Sequence, residues 1–401
     1  MKNGINKIIK SVSCLAAVLL IVGCKNQGKP LPPKTEIPAN SQSLQTPIPS
    51  AEPTVGLDMT LLMDGTQRWG QQGTKEGYYD IALMEDGRQI IYYTDYEQKI
   101  QVPLCASPNC MHDSDQCTAW TTTRSLFVYD DYLYLLYSSF DGASYLERRD
   151  LDGGNRETIV RLASNKDFVP TGITAAGDDL FFAVLDVEAG SINTTYSICK
   201  LNLSTGECSE IQSREDANQF IVGVLEDKIV IERFEVDEKS LTKLMPEFLL
   251  MDQQGKETPI MLPPWVTETT WILPGKGELL LHNSLEGSIV KLDILTGNLT
   301  ILAEDPRLKE YPTATVLLAS FDNGVILNID QKYYLCKDGQ MKESNHCYYR
   351  GEQQSNKILE QLGDQYLVCR DFDTSPKTLA IISKEDYWDD KDSDLSIRNS
   401  D

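Results

Sequence analysis

The residues best equipped for chemistry lie in one stretch, "VPLCASPNCMHDSDQC", at 102–117. Cys105, Cys110 and Cys117 surround His112, one of only three histidines in the 401-residue chain. Three thiolates and one imidazole nitrogen satisfy a tetrahedral Zn²⁺. Short spacers holding Pro108, Asn109 and Asp113 let four ligands converge on one loop. A metal there would staple a segment too short to bury a core. Oxidation is the competing chemistry, because disulfides persist in exported proteins. Besides Cys14 and Cys24, eight cysteines remain, an even number: the three above with Cys199, Cys208, Cys336, Cys347 and Cys369. Cys199 and Cys208 flank one hairpin, and Cys336 and Cys347 flank another, so either pair could be bridged. Cys369 would then pair with the odd cysteine of the cluster, but sequence sets no connectivity. A catalytic thiol is the weakest reading. It needs a positioned base and an orienting partner, and a turn between Cys110 and His112 would point them apart.

No other motif competes. Gly-x-Ser-x-Gly, His-Glu-x-x-His and the phosphate-cradling Gly-x4-Gly-Lys-Ser/Thr do not occur. His282, in "ELLLHNS", and His346, beside Cys347, read as structural residues on strands. Acids are abundant enough for a glycosidase carboxylate pair, yet none stands out. Asp390, Asp392 and Asp394 alternate as in a calcium loop. However, Leu395 stands where the sharp-turn glycine belongs and no Glu closes the loop. Residues 391–401 therefore read as an acidic, flexible tail.

The elements that must position these residues form a repeat. "YLERRDLDGGNRETIVRL" (145–162), "SICKLNLSTGECSEIQ" (197–212), "EFLLMDQQGKETPIML" (247–262) and "SIVKLDILTGNLTILA" (288–303) each read as two strands around a tight polar turn. Weaker copies lie at 90–105, 332–347 and 378–390. The turns carry Gly, Asn, Asp and Ser, which tolerate the positive φ that hairpins demand. An apolar strand precedes most of them, as in "DDYLYLLYSS" and "EDKIVIERFE". Its residues are β-branched or aromatic and read in period two. Turn centres fall near 97, 153, 205, 254, 296, 339 and 384. Such a period, with about four short strands per unit, marks an all-β fold, a β-propeller. Seven blades are countable; six and eight are compatible, and a many-stranded sandwich is the alternative. The first unit looks short of an inner strand and the last short of an outer one. Residues 77–84, or 58–65, are expected to complete the final blade.

The chain opens "MKNGINKIIKSVSCLAAVLLIVGC". A basic start, a short apolar run and a small residue before cleavage mark a secretory signal over 1–23. The ending Ile21-Val22-Gly23-Cys24 resembles the lipobox of bacterial lipoproteins. That resemblance implies a diacylglycerol on Cys24 and anchoring to the outer face of the cell membrane. Residues 24–56, rich in Pro, Ser, Gln and Asn, lack the apolar groups to offset ordering entropy and read as a disordered tether. The propeller should then span 57–390, with the Cys/His loop at 102–119. The formal charge is −23. Nucleic-acid binding needs Lys and Arg to neutralise phosphates, so no nucleic-acid partner is expected.

Leu104-Cys105-x2-Pro108-x-Cys110-x-His112-x4-Cys117-x-Ala119 resembles a pattern shared by lipid-anchored propeller lipoproteins of anaerobic Gram-positive gut bacteria. They show the same order of lipobox, tether, strand pair, cysteine motif and repeats. "YLERRDLDGGNRETI" also resembles blades of TolB-like and low-density-lipoprotein-receptor-type propellers. The resemblance implies export and a ring, and no particular reaction. The leading expectation is a surface module whose loops bind a protein, peptide or glycan. The alternatives are a propeller glycosidase or lyase, and a structural envelope component.

Overall fold

The computed structural model describes residues 57–63, 72–123, 125–138, 143–169, 172–187, 194–215, 217–235, 245–347, 356–371 and 374–399. The chain divides into Met1–Thr54 and Val55–Asp401, and only the second contains described residues. The expected signal, Cys24 and the tether up to residue 56 lie outside them.

Seven antiparallel sheets form the blades of a β-propeller. In chain order they occupy 72–103, 125–161, 173–214, 218–259, 272–304, 315–343 and 357–396. Each runs from an inner first strand to an outer fourth one. In blade two these are Ser125–Tyr129, Tyr132–Tyr137, Tyr145–Asp150 and Glu157–Arg161. The expected turn centres all fall between third and fourth strands. Six are tight turns, and the seventh position opens the short helix Lys384–Trp388.

An apolar cluster fills each gap between neighbouring blades. The second strand of blade five shows how. Leu279 and Leu281 pack toward blade four, while Leu280 packs toward blade six. Burying one such side chain stabilises by roughly 1.5–3 kcal/mol. Second strands are thus buried on both faces, as in Tyr132–Tyr137 and Glu278–Asn283. The period-two alternation expected for "YLYLLY" fails there because neither face meets solvent. Outer strands differ, and Leu299–Glu304 begins with three exposed residues.

The ends of the chain depart from expectation. Thr60–Met63 does not complete the last blade. It pairs antiparallel with Ile173–Ala176, the inner strand of blade three, and also touches the inner strands of blades two and four. Ala175 and Ala176 are small. Leu62 and Met63 fill the space on one side of them and Met59 the space on the other. Gly77–Leu83 is the second strand of blade one, whose inner strand is only Gln72–Gly73. The last blade closes with its own outer strand, Asp394–Ser396. Arg398–Asn399 then pairs in parallel with Ile100–Pro103 of blade one. The tail expected to be flexible therefore bridges the last blade to the first. Its backbone groups are used in pairing, and Asp392 meets Arg370 at 2.7 Å.

A polar network joins blades three and four. Glu257 accepts from Arg233, Gln212 and, at 3.3 Å, Arg214. Burial opposes its charge, but the Arg233 and Gln212 hydrogen bonds outweigh this and hold its carboxyl below the usual range. A depressed folded pKa contributes stability above the unfolded value of about 4.3 and loses it as pH falls through the folded value. The urea midpoint should therefore drop on acidification below about pH 4.3. Glu257→Gln should flatten that part of the profile, and an identical slope in the variant would remove Glu257 as the cause.

Candidate metal centre

The Cys/His loop is an excursion from the outer strand of blade one. Ile100–Pro103 pairs with Tyr92–Asp95, whereas Trp120 and Thr121 pair with Ile90 and Gln89. The strand thus leaves the sheet after Pro103 and rejoins it at Trp120. Ile91 holds both ends. Its carbonyl accepts from Leu104 N–H at 2.8 Å, and its N–H donates to Ala119 O at 2.8 Å. Thr118 Oγ1 donates to Leu104 O at 2.6 Å and closes the neck. Within the loop, Asn109 and His112 adopt positive φ of 59° and 51°. That conformation is uncommon for residues other than glycine, though Asn and His are enriched in it.

These turns bring Cys105, Cys110, His112 and Cys117 together. Their ligand atoms all lie within 4.8 Å of one another. A tetrahedron with Zn–S near 2.3 Å and Zn–N near 2.0–2.1 Å has edges of about 3.5–3.8 Å. The four residues fit a Cys₃His site with modest contraction. The imidazole enters through Nδ1, which stands 3.1 Å from Cys117 Sγ. Burial and the Arg88 charge lower the His112 pKa, favouring the neutral ring that a metal needs. Burial opposes the Cys105 thiolate, yet Ser107 N–H and the Cys117 and Cys110 thiols hydrogen-bond it and bring its pKa down. Burial, with the Cys110 and Cys105 sulfurs adding to it, pushes Cys117 up to about 12. Without a metal the cluster thus favours one thiolate over its neighbour. A divalent cation would offset the repulsion of several.

Three arginines clamp the loop. Arg88 donates to Met111 O, and Arg156 donates to Cys117 O. Arg149, with its side chain fully buried, donates to Thr118 O at 3.0 Å and Trp120 O at 3.1 Å. Its remaining donors reach Glu147 at 2.6 Å and Tyr137 Oη at 3.1 Å. Three thiolates around Zn²⁺ leave one net negative charge, which these guanidiniums complement. Arg149 and Arg156 belong to blade two, so the loop ties the first two blades together. Gly153, in the outer turn of blade two, lies so close that a Cβ would sit 2.7 Å from Thr118 O. The arginines are the part of the site that cysteine spacing does not reveal. The available signal was a basic cluster, Arg148, Arg149 and Arg156, within an acidic chain.

The other cysteines fare differently. Cys199 and Cys208 share one face of their hairpin and perturb each other's ionisation. Cys336 and Cys347 do not: Cys336 packs between blades five and six, Cys347 between blades six and seven. A bridge between them, allowed by the sequence, is closed by their lying on opposite sides of blade six. Cys369 is buried between blades seven and one, away from the loop cysteines. His282 is buried and bonds Leu308 O through Nε2 at 2.9 Å, a structural role. His346 lines a cavity of about 10 Å³, room for one water. Asp390 accepts from Ser344 Oγ at 2.5 Å and Asn345 N–H at 2.9 Å, so it braces blade six.

No family model matches the chain, and no curated protein matches it. Solved structures do. An oligogalacturonate lyase from Vibrio parahaemolyticus aligns with a TM-score of 0.50 at 11% identity, over 82% of this chain and 97% of that one. A puromycin hydrolase aligns at 0.51 and 10% identity, over 84% of this chain and 56% of that one. This chain therefore spans little more than half of the hydrolase. TolB from Acinetobacter baumannii aligns at 0.34 and 13% identity, over 79% and 76%. At such identities the likeness of the first two shows the fold alone. The class is a seven-bladed β-propeller, and a Cys/His cluster able to hold a metal stands on the outer strand of its first blade.

Proposed function

We propose that this chain is a lipid-anchored surface module whose ring presents loops to a protein, peptide or glycan, with Zn²⁺ at Cys105, Cys110, His112 and Cys117. The observation that carries the reading is the closed geometry of the cluster. Four protein ligands leave no open position for a substrate, which is the arrangement of structural rather than catalytic zinc. The surrounding arginines are spent on loop carbonyls. The ion would supply a fixed tetrahedral cross-link. Cys105 and Cys110 would pin the start of the excursion, His112 its tip and Cys117 its return. The chemistry-bearing residues thus hold the scaffold, and recognition falls to loops between blades, where binding residues concentrate.

The test pairs two measurements on the full chain. Lipid-precursor labelling in cells should track Cys24 and vanish in Cys24→Ala, and unchanged membrane attachment in that variant would overturn the anchor. Zinc-loaded protein on glycan and peptide arrays should retain a defined ligand class. Turnover of a glycan without such retention would instead favour the carbohydrate-active enzyme.

A further inference from the structure

Blade three carries a second sulfur pair, independent of what the loops bind. Cys199 lies on the third strand, Thr194–Asn202, and Cys208 opens the outer strand, Cys208–Arg214. The turn between them is tight: Gly206 N–H donates to Asn202 O at 2.8 Å, and Asn202 N–H donates to Glu207 O at 2.9 Å. Leu201 stands opposite Cys208 and Cys199 opposite Glu210. Both sulfurs therefore project from the same face, two residues apart along the strands. A bulge beside Cys199 breaks the register there, and bulges sharpen local twist. The two thiols lie close enough for each to perturb the other's ionisation.

The pair is asymmetric. Cys199 is 6% exposed and belongs to the cluster between blades two and three. Cys208 is exposed. Lys166 lies on the same side, where its ammonium pairs with Asp186 at 3.6 Å and Glu210 at 3.9 Å. We propose that Cys199 and Cys208 form a thiol–disulfide exchange site, with Cys208 as the attacking sulfur and Cys199 as the resolving one. The electrostatics agree with that assignment. The Cys199 thiol favours the Cys208 thiolate against the opposition of burial, with Lys166 adding to it, while the Cys208 sulfur and burial raise the pKa of Cys199.

The partner class is a disulfide, R–S–S–R. Cys208 thiolate attacks one of its sulfurs, the S–S bond breaks, and the departing thiolate takes a proton from water. Cys199 then loses its proton to solvent and attacks Cys208 Sγ, expelling the second thiolate, which is protonated in turn. Two protein thiols are oxidised to a bridge, and one disulfide is reduced to two thiols. A low-pKa exposed thiol beside a buried resolving one is the arrangement such exchange requires.

Reduced full-length protein treated with oxidised glutathione, alkylated and mapped by peptide mass, gives the test. Residues 199 and 208 should become resistant to alkylation together and appear as one bridged species. Cys199→Ser should stop at a glutathione adduct on Cys208. Cys208→Ser should slow reaction at this hairpin by at least about tenfold, because the exposed thiolate is gone. Free thiols at both positions in treated wild-type protein would overturn the proposal. So would a Cys199→Ser protein carrying no adduct on Cys208. Because mapping assigns each cysteine, oxidation confined to the blade-one loop would also count against it.

Discussion

Cys110→Ser is expected to weaken zinc binding by more than about 100-fold, since changes in the shell behind metal ligands already cost about 10–100-fold. Wild-type protein purified without oxygen should carry about one zinc per chain, and the variant none that survives dialysis. Linkage converts that loss into stability. With free zinc at about 1,000 times its Kd, removing the site forfeits about 4 kcal/mol. Hydrogen exchange within residues 105–117 should rise first, because a bound metal would join the interior of the excursion, whereas the Ile91 and Thr118 contacts hold its neck. Met111→Ser supplies the control. Its side chain is 68% exposed at the tip of the loop, and only its carbonyl is used, by Arg88. Zinc content should be unchanged there. Equal zinc in Cys110→Ser and wild type, measured by elemental analysis, would remove that thiol from the ligand set. Wild-type protein with no zinc and no free thiols would turn the cluster into a disulfide site.

Arg149→Met should destabilise the fold by about 3–5 kcal/mol, the cost of breaking a buried pair and stranding its partner. The variant keeps most of the volume but leaves Thr118 O, Trp120 O and the Glu147 carboxylate without their guanidinium. Glu147 keeps only 14% of its side-chain exposure, so water screens little of that loss. Urea denaturation reads the effect. A change below about 1 kcal/mol, the size of a surface pair, would mean that the loop and blade two are held by packing alone. Zinc should still bind Arg149→Met, though exchange at 117–121 should quicken. That separates the clamp from the ligands.

Much of the ring was legible because its punctuation is local. Gly153 and Gly206 sit at φ of 80° and 71°, which few other residues adopt without strain. Each therefore marks a turn before any contact is known. Second strands announced themselves by apolar content, although burial on both faces replaced their expected alternation. The ends of the chain were not legible. "DLS" at 394–396 and "RN" at 398–399 have little strand propensity. They become strands because finished neighbours offer unpaired backbone, which a local pattern cannot signal. The cluster able to hold a metal was legible from spacing, since all four residues come from one loop. Their arginine clamp was not: Arg156 reaches Cys117 from 39 residues away. Facing decided the remaining cysteines. Spacing made the pairs at 199/208 and 336/347 look alike, while strand register brought one together and put the other on opposite sides of a blade.

The seam between blades seven and one has a temporal consequence. Its contacts join distant parts of the chain: Lys377 to Asp80 at 3.0 Å, Ser375 to Leu83 O at 2.7 Å, and Arg398 N–H to Lys99 O at 3.0 Å. Every other boundary joins blades that are neighbours in sequence, with Met59–Met63 added from a distance around the inner strand of blade three. Contacts of large separation must meet the loop-closure entropy before they are rewarded, and they form slowly. Refolding should therefore pass through an open arc of blades that is already hydrogen-bonded within each sheet. Closing the circle is its late step, and chain emerging from a ribosome must wait for its last strand before the seam to the first blade is complete.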